Sequence, residues 1–259
     1  MVAFITYIGR LSITTVAALI EFFTFSCQVI TRSLSRKTYN SATRMVLINQ
    51  IYFTALQILP LFLFISVIFG AVLIGIVYQV IRSSGLAQYL GEIIMGFVVT
   101  ELSPFITVLL IALRSGSAIN TEIAVMKYNR ELRTLDAFQI DVLNYLFFPR
   151  VISGIVSVTL LSALFSISVL LSGFLFLKVF FGMSVYAAEI LNSAAVSDLL
   201  ITVVKCVTFG FFITLIPIRL GLMASDELTS IPVSVLRGMV NVFIAIVMIE
   251  VLSLILRFI

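Results

Sequence analysis

Five charged side chains fall inside long apolar runs: Glu101, Arg114, Glu122, Lys205 and Glu250. A charge at membrane depth is costly, so each needs a cavity, a counter-charge or a way to reach the interface. Acids and bases so placed could pass an ion or a proton, or hold a polar headgroup. They could equally staple helices together or snorkel. Arg114 and Glu122 are eight residues apart, about 12 Å along a helix axis, so they cannot pair on one helix and each requires a partner elsewhere. Arg114 lies nearest the middle of its run. Glu122, Lys205 and Arg150 lie nearer the ends, where stapling or snorkelling is the simpler role. Beside Arg114 stand Ala112, Ser115, Gly116, Ser117, Ala118 and Asn120, mostly small residues that let a second backbone approach closely. Ordinary helix packing and a specific dimer or substrate interface both fit that pattern.

Other chemistries are removed by residue type. Histidine is absent, which excludes His-based acid–base catalysis and His-ligated haem or zinc. Cys27 and Cys206 sit singly in apolar runs with no CxxC, and lone thiols there behave as small hydrophobes. No GxxxxGK[ST] loop occurs, so the chain does not bind ATP in that manner. No metal and no cofactor is expected.

The elements that position these charges follow from composition. Of the 259 residues, 61% are hydrophobic and only 11% charged, against roughly half and a quarter in soluble domains. That excludes a soluble enzyme, a disordered tail and a nucleic-acid-binding module, and leaves an all-α membrane protein. A β-barrel alternates polar and apolar residues instead of running continuously apolar. The net charge of +4 reads as topology information. Five transmembrane helices are predicted: Gln50–Ile81, kinked at Pro60; Ile93–Met126; Pro149–Leu177; Leu199–Leu220; and Met239–Leu256. Residues 1–31 show polar and apolar faces that suit an interfacial helix better than a signal peptide. With the basic segment around Arg32, Arg36, Lys37 and Arg44 they make up a unit over residues 1–44, ahead of a five-span domain over 45–259. A short surface helix is expected over Ser184–Ala195, and a loop over Gly221–Arg237.

Bases concentrate at 32–44, 127–141 and 219–237, which predicts those segments inside the cell, the N-terminus cytoplasmic and the C-terminus outside. The most polar of them, Lys127 to Asp141, sets Leu132, Leu135, Ala137 and Ile140 among charges. It reads as a solvated loop or, more sharply, as a short cytoplasmic helix presented to a soluble partner.

An ordered set of motifs then carries a resemblance. Glu101-Leu-Ser-Pro104, Leu113-Arg-Ser-Gly-Ser-Ala118, Thr121-Glu-Ile123 with Met126, Ile140-Asp141, Phe148-Pro-Arg150, and Asp198-Leu199 with Lys205 and Phe209-Gly210 resemble the signature of MlaE/YrbE-type permeases over about residues 45–255. Glu250 falls where that family often has an acid in its last span. The sequence departs from the family at Thr100, Ser103, Arg130, Val142 and Asn144, and the family's Gly-rich loop is mostly lost in Gly221–Arg237.

The resemblance implies the permease subunit of an ABC-type phospholipid transporter in the bacterial inner membrane, itself not an enzyme. It implies a homodimer, a cytoplasmic ATPase that binds the ATP, and a periplasmic MCE-domain lipid-binding protein. It further implies that spans one, two and five line a lipid pocket at the dimer axis, and that the loop after span two docks the ATPase. The residues expected to touch lipid are Glu101, Arg114, Asn241 and Glu250. Those expected to couple to the ATPase are Arg130, Glu131, Leu132, Arg133, Leu135 and Asp136. A stand-alone ion- or proton-coupled carrier using Glu101, Arg114 and Glu250 is the alternative.

Overall fold

The computed structural model describes residues 41–86, 89–182 and 195–258, together with Thr24, Ser26, Cys27, Thr31, Ile190 and Ser193. The expected helix over residues 1–31, the basic cluster Arg32, Arg36 and Lys37, and the surface helix Ser184–Ala195 fall almost wholly outside the described residues.

Five helices are long and apolar enough to cross a membrane: α1 (Thr43–Ser83), α2 (Leu90–Tyr128), α4 (Leu143–Phe181), α5 (Val196–Met223) and α6 (Ser230–Arg257). A short helix, α3 (Glu131–Ala137), joins α2 to α4. Each long helix extends the predicted span at one end or both. The largest correction is at the last connection. Residues 230–237, expected as loop, form the first turns of α6. Pro232 signals a break by its type, yet in the first turn of a helix its missing N–H has no carbonyl to serve.

Three of the long helices are not α-helical throughout. Wider π-helical turns occupy Tyr52–Leu56 in α1, Ile94–Leu102 in α2 and Leu143–Phe147 in α4. Each lies just ahead of a proline, respectively Pro60, Pro104 and Pro149. A proline ring clashes with the carbonyl one turn back and leaves it without a donor. Widening the preceding turn lets the helix continue past it. The kink expected at Pro60 thus takes the form of a widened turn and an irregular Gln57–Ile58 step. A fourth π-helical stretch, Ala112–Gly116, has no proline after it within the next turn.

In lipid the helices gain little from apolar burial against one another, so close approach and interhelical hydrogen bonds hold them. At the α4–α5 crossing, a Cβ on Gly210 would meet the Ile155 Cα at 2.5 Å and the Gly154 carbonyl oxygen at 2.9 Å. At the α1–α4 crossing, a Cβ on Gly70 would lie 2.6 Å from the Val169 Cα. Phe62 and Phe165 meet edge-on in the same layer, with ring centroids 5.4 Å apart. Ser103 donates to the Ser162 carbonyl at 2.8 Å and accepts from the Ser166 hydroxyl at 2.8 Å, which ties α2 to α4. The departure from glycine at this position is therefore compensated by two serines on the facing helix.

At the α3 end, Asn120 and Ser234 bind α2, α5 and α6 together. The Asn120 amide donates to the Ser234 carbonyl at 3.1 Å, and the Ser234 hydroxyl lies 2.8 Å from the Leu220 carbonyl and 3.1 Å from Asn120 Oδ1. Lys127 donates to the carbonyls of Leu222 (2.8 Å) and Ala224 (2.6 Å), so a cation caps the C-terminus of α5. The bundle encloses α2 most and α6 least.

Candidate functional site

Toward the end of the bundle opposite α3, five charged residues from three helices meet. Glu101 stands on α2, Asp198 and Lys205 on α5, and Glu250 and Arg257 on α6. At 1.5 Å per residue, Glu101 and Lys205 lie roughly 15 Å inside the ends of their helices. Lys205 is 3% exposed and pairs with both Glu101 and Glu250, the latter at 2.8 Å. Arg257 donates to Glu101 at 3.0 Å and to the Gly96 carbonyl at 2.8 Å, and its other terminal nitrogen lies 3.9 Å from Asp198.

Local sequence explains how such a group is accommodated. Glu250 and Arg257 are two turns apart on α6, so both face the same side. Glu101 and Gly96 belong to the widened turn ahead of Pro104. Two of that turn's carbonyls are filled by side chains: Thr100 donates to Met95 at 3.1 Å, and Arg257 reaches Gly96. A Cβ on Gly96 would meet Arg257 at 2.8 Å, so glycine makes room for the guanidinium. Asp198 sits in the first turn of α5, where the helix dipole favours an acid.

The network borders a groove of about 550 Å³ between α5 and α6. Its walls are mostly apolar, with Leu200, Val204, Phe212, Ile249, Leu252 and Leu256, and Lys205, Thr208, Ser253 and Arg257 also line it. An apolar trough with a few polar groups is the form expected of a site for an amphiphile. The groove involves spans four and five, whereas the resemblance implied spans one, two and five.

The four residues expected to touch lipid separate into three places. Glu101 and Glu250 come together through Lys205. Arg114 lies about 20 Å away along α2, in a cleft facing α1. Asn241 is exposed on α6, nine residues before Glu250, and makes no hydrogen bond to the network among the described residues. Lys205 was legible as a buried charge but not as the hub. Arg257 and Asp198 were not anticipated as members, because each stands at a helix end and reads as an interface residue. The repeat of acid and base two turns apart on α6 was the signal available.

A second ion pair lies near α3. Arg150, at the start of α4, is 1% exposed and pairs with Glu122 on α2, which is largely exposed. Stapling or snorkelling is the role expected of it near a span end, and the pair joins α4 to α2 as a staple. It does not snorkel, because its side chain is enclosed within the bundle. Arg114 makes no ion pair with Glu122, consistent with their spacing.

Of the residues expected to couple to an ATPase, Glu131, Leu132, Arg133, Leu135 and Asp136 lie on α3, and Arg130 immediately precedes it. Arg130 has φ 60°, a left-handed turn that redirects the chain out of α2. Arg130, Glu131, Arg133 and Asp136 are exposed, while Leu132 packs onto the cluster around Ile123 and Phe147 and Leu135 is half-buried. The amphipathic pattern thus orients α3 with its charges outward. Among the described residues, no group of three or more His, Cys, Asp or Glu is placed to hold a metal ion.

Comparison with known proteins agrees with this architecture. The family model described as "Permease MlaE" matches residues 47–256. A probable ABC transporter permease protein of Rickettsia bellii is 26% identical over 211 residues, covering 81% of this chain and 80% of that protein. The intermembrane phospholipid transport system permease protein MlaE of Haemophilus influenzae is 32% identical over 120 residues, 46% of each chain. A probable ABC transporter permease of Pyropia yezoensis is 30% identical over 141 residues, 54% of each. With five membrane-length helices and a family match that runs from α1 almost to the end of α6, this multi-pass membrane protein belongs to the MlaE permease family.

Proposed function

We propose that the chain is the transmembrane subunit of an ATP-driven transporter that moves phospholipid between two membranes. The observation that carries the lipid part is the apolar groove between α5 and α6, which Lys205 and Arg257 also line. Acyl chains suit its apolar walls, and a zwitterionic or anionic headgroup suits the charges among its lining. The name of the Haemophilus influenzae relative supports the same substrate class. Glu101 and Glu250 act in this reading by holding Lys205 and Arg257 in place.

No GxxxxGK[ST] loop occurs in the sequence, so in this reading the ATP is bound by a partner. The exposed charges of α3 are the proposed contact with a cytoplasmic ATPase, and Leu132 packs that helix against the bundle. Arg44, Lys127, Arg130, Arg133, Arg219 and Arg237 lie at the α3 end, against Arg82, Lys178 and Arg257 at the other. This asymmetry supports a cytoplasmic α3, and hence a C-terminus on the periplasmic side of a bacterial inner membrane. A homodimer, with an MCE-domain lipid-binding protein on the periplasmic face, completes the proposal on the strength of the family.

The test is a triple charge reversal at Arg130, Glu131 and Arg133. Lipid transfer and ATPase association should fall while the purified chain keeps its helical content and stability. Normal association and normal ATPase activity in that variant would refute the contact. The charge network also favours a second reading, an ion- or proton-coupled carrier, which would move substrate on an ion gradient without ATP.

A further inference from the structure

We propose that Arg257 is a releasable latch across one end of the α5–α6 groove. Its withdrawal from Glu101 and Gly96 opens the groove at the end opposite α3. The part this opening plays in transport rests on the groove being the path of the phospholipid; the latch itself does not. Arg257 lines the groove as well as bridging three helices, so its position sets how wide the groove stands at that end.

The charges that join α5 to α6 form two rungs. Asp198 and Lys205 are seven residues apart on α5, and Glu250 and Arg257 are seven apart on α6. The antiparallel helices therefore set Lys205 opposite Glu250 and, two turns further out, Asp198 opposite Arg257. The inner rung is tight and enclosed, with nitrogen and oxygen 2.8 Å apart and side chains 2% and 15% exposed. The outer rung is loose, at 3.9 Å, with side chains 27% and 26% exposed. An ion pair that open to solvent holds helices together only weakly. Arg257 is thus held mainly by α2, through Glu101 at 3.0 Å and the Gly96 carbonyl at 2.8 Å.

The two bases differ in what their departure leaves behind. Without Lys205, Glu250 has no cation within ion-pair distance among the described residues. Withdrawal of Arg257 strands no enclosed carboxylate. Glu101 keeps Lys205, and Asp198 stays partly solvated in the first turn of α5. An uncompensated buried charge is what makes breaking an ion pair expensive, so Arg257 is the cation this network can release. Its seat on α2 is shaped to receive it. The widened turn there is nine residues long, against five in the other two that precede prolines, and such turns often mark functional sites. Glycine at 96 leaves the space that a Cβ, 2.8 Å from the guanidinium, would take. The latch is carried by α6, the least enclosed of the long helices, so less packing resists movement of its end.

The experiment uses the full chain, with whatever subunits co-extract, in a Cys27→Ala, Cys206→Ala background. Spin labels on cysteines placed at positions 197 and 255 read the gap between the outer ends of α5 and α6 in nanodiscs. Arg257→Gln should raise the wide-gap population about tenfold or more. Arg257→Lys, which keeps a cation for Glu101, should reverse most of that rise. Asp198→Asn, which loosens the outer rung alone, should raise the population a few-fold, and it reports on the latch even where Arg257→Gln folds poorly. Separately, Asp198→Cys with Arg257→Cys is joined by a bifunctional thiol reagent that a reductant cleaves. The joined protein should lose ATP-dependent transfer of labelled phospholipid and regain it on reduction. An unchanged gap in both Arg257→Gln and Asp198→Asn would overturn the latch, as would full transfer by the joined protein. If the wild-type complex transfers no phospholipid with ATP, the proposed function fails, and the gap measurements alone decide the latch.

Discussion

Replacing Lys205 by methionine removes the only cation within ion-pair distance of Glu250 among the described residues. Glu101 fares better, since Arg257 still donates to it at 3.0 Å. The cost of Lys205→Met should therefore come mainly from one orphaned carboxylate, Glu250, in a region where Lys205 itself is 3% exposed. Breaking a buried pair by deleting one partner typically costs about 3–5 kcal/mol. Adding Glu250→Gln removes the orphan and should recover at least half of that, whereas Glu250→Gln alone should cost about 1 kcal/mol. A double-mutant cycle in mixed micelles, with unfolding by sodium dodecyl sulfate followed by circular dichroism, reads these differences directly. If Lys205→Met lies within about 1 kcal/mol of wild type, or if the second substitution restores nothing, the network does not bear the charges as described.

Two further perturbations test the packing. Gly210→Ala should destabilise by about 1–3 kcal/mol, because its Cβ would meet the backbone of Ile155 and Gly154. Gly116→Ala, whose nearest neighbours stand 3.7–3.8 Å away, should be nearly neutral in the same unfolding assay. Asn120→Leu should cost about 1–3 kcal/mol, since the Ser234 hydroxyl loses its Asn120 contact and the Ser234 carbonyl loses a donor. The loss should appear as faster hydrogen exchange in the first turns of α6.

Much of this fold is legible in the sequence because lipid imposes a simple rule: a span needs about twenty apolar residues. The five runs meet it plainly, and α3 shows itself by Leu132 and Leu135 among charges. What the sequence hides depends on neighbours. Glu101, Lys205 and Glu250 each read as costly charges, yet only the packing of α2, α5 and α6 makes them one network. Arg257 closes the network and was invisible because a base near a span end needs no partner. Arg150 shows the same limit from the other side, for a position near a span end proved to be fully enclosed. Residues 230–237 misled because Pro232 and Arg237 favour a loop by type, while their place at a helix start removes the proline's penalty. Ser103 departs from the family's usual glycine, and its accommodation rests on Ser162 and Ser166, fifty-nine and sixty-three residues away.

On the proposed function, work reaches this permease from an ATPase and is spent on moving phospholipid. The most direct measurement is transfer of labelled phospholipid between liposome populations by the complex purified through this chain, with and without ATP. Transfer should require ATP, persist when ion gradients are collapsed, and fall sharply on charge reversal at Arg130, Glu131 and Arg133. Transfer that runs on an ion gradient and ignores ATP would contradict it.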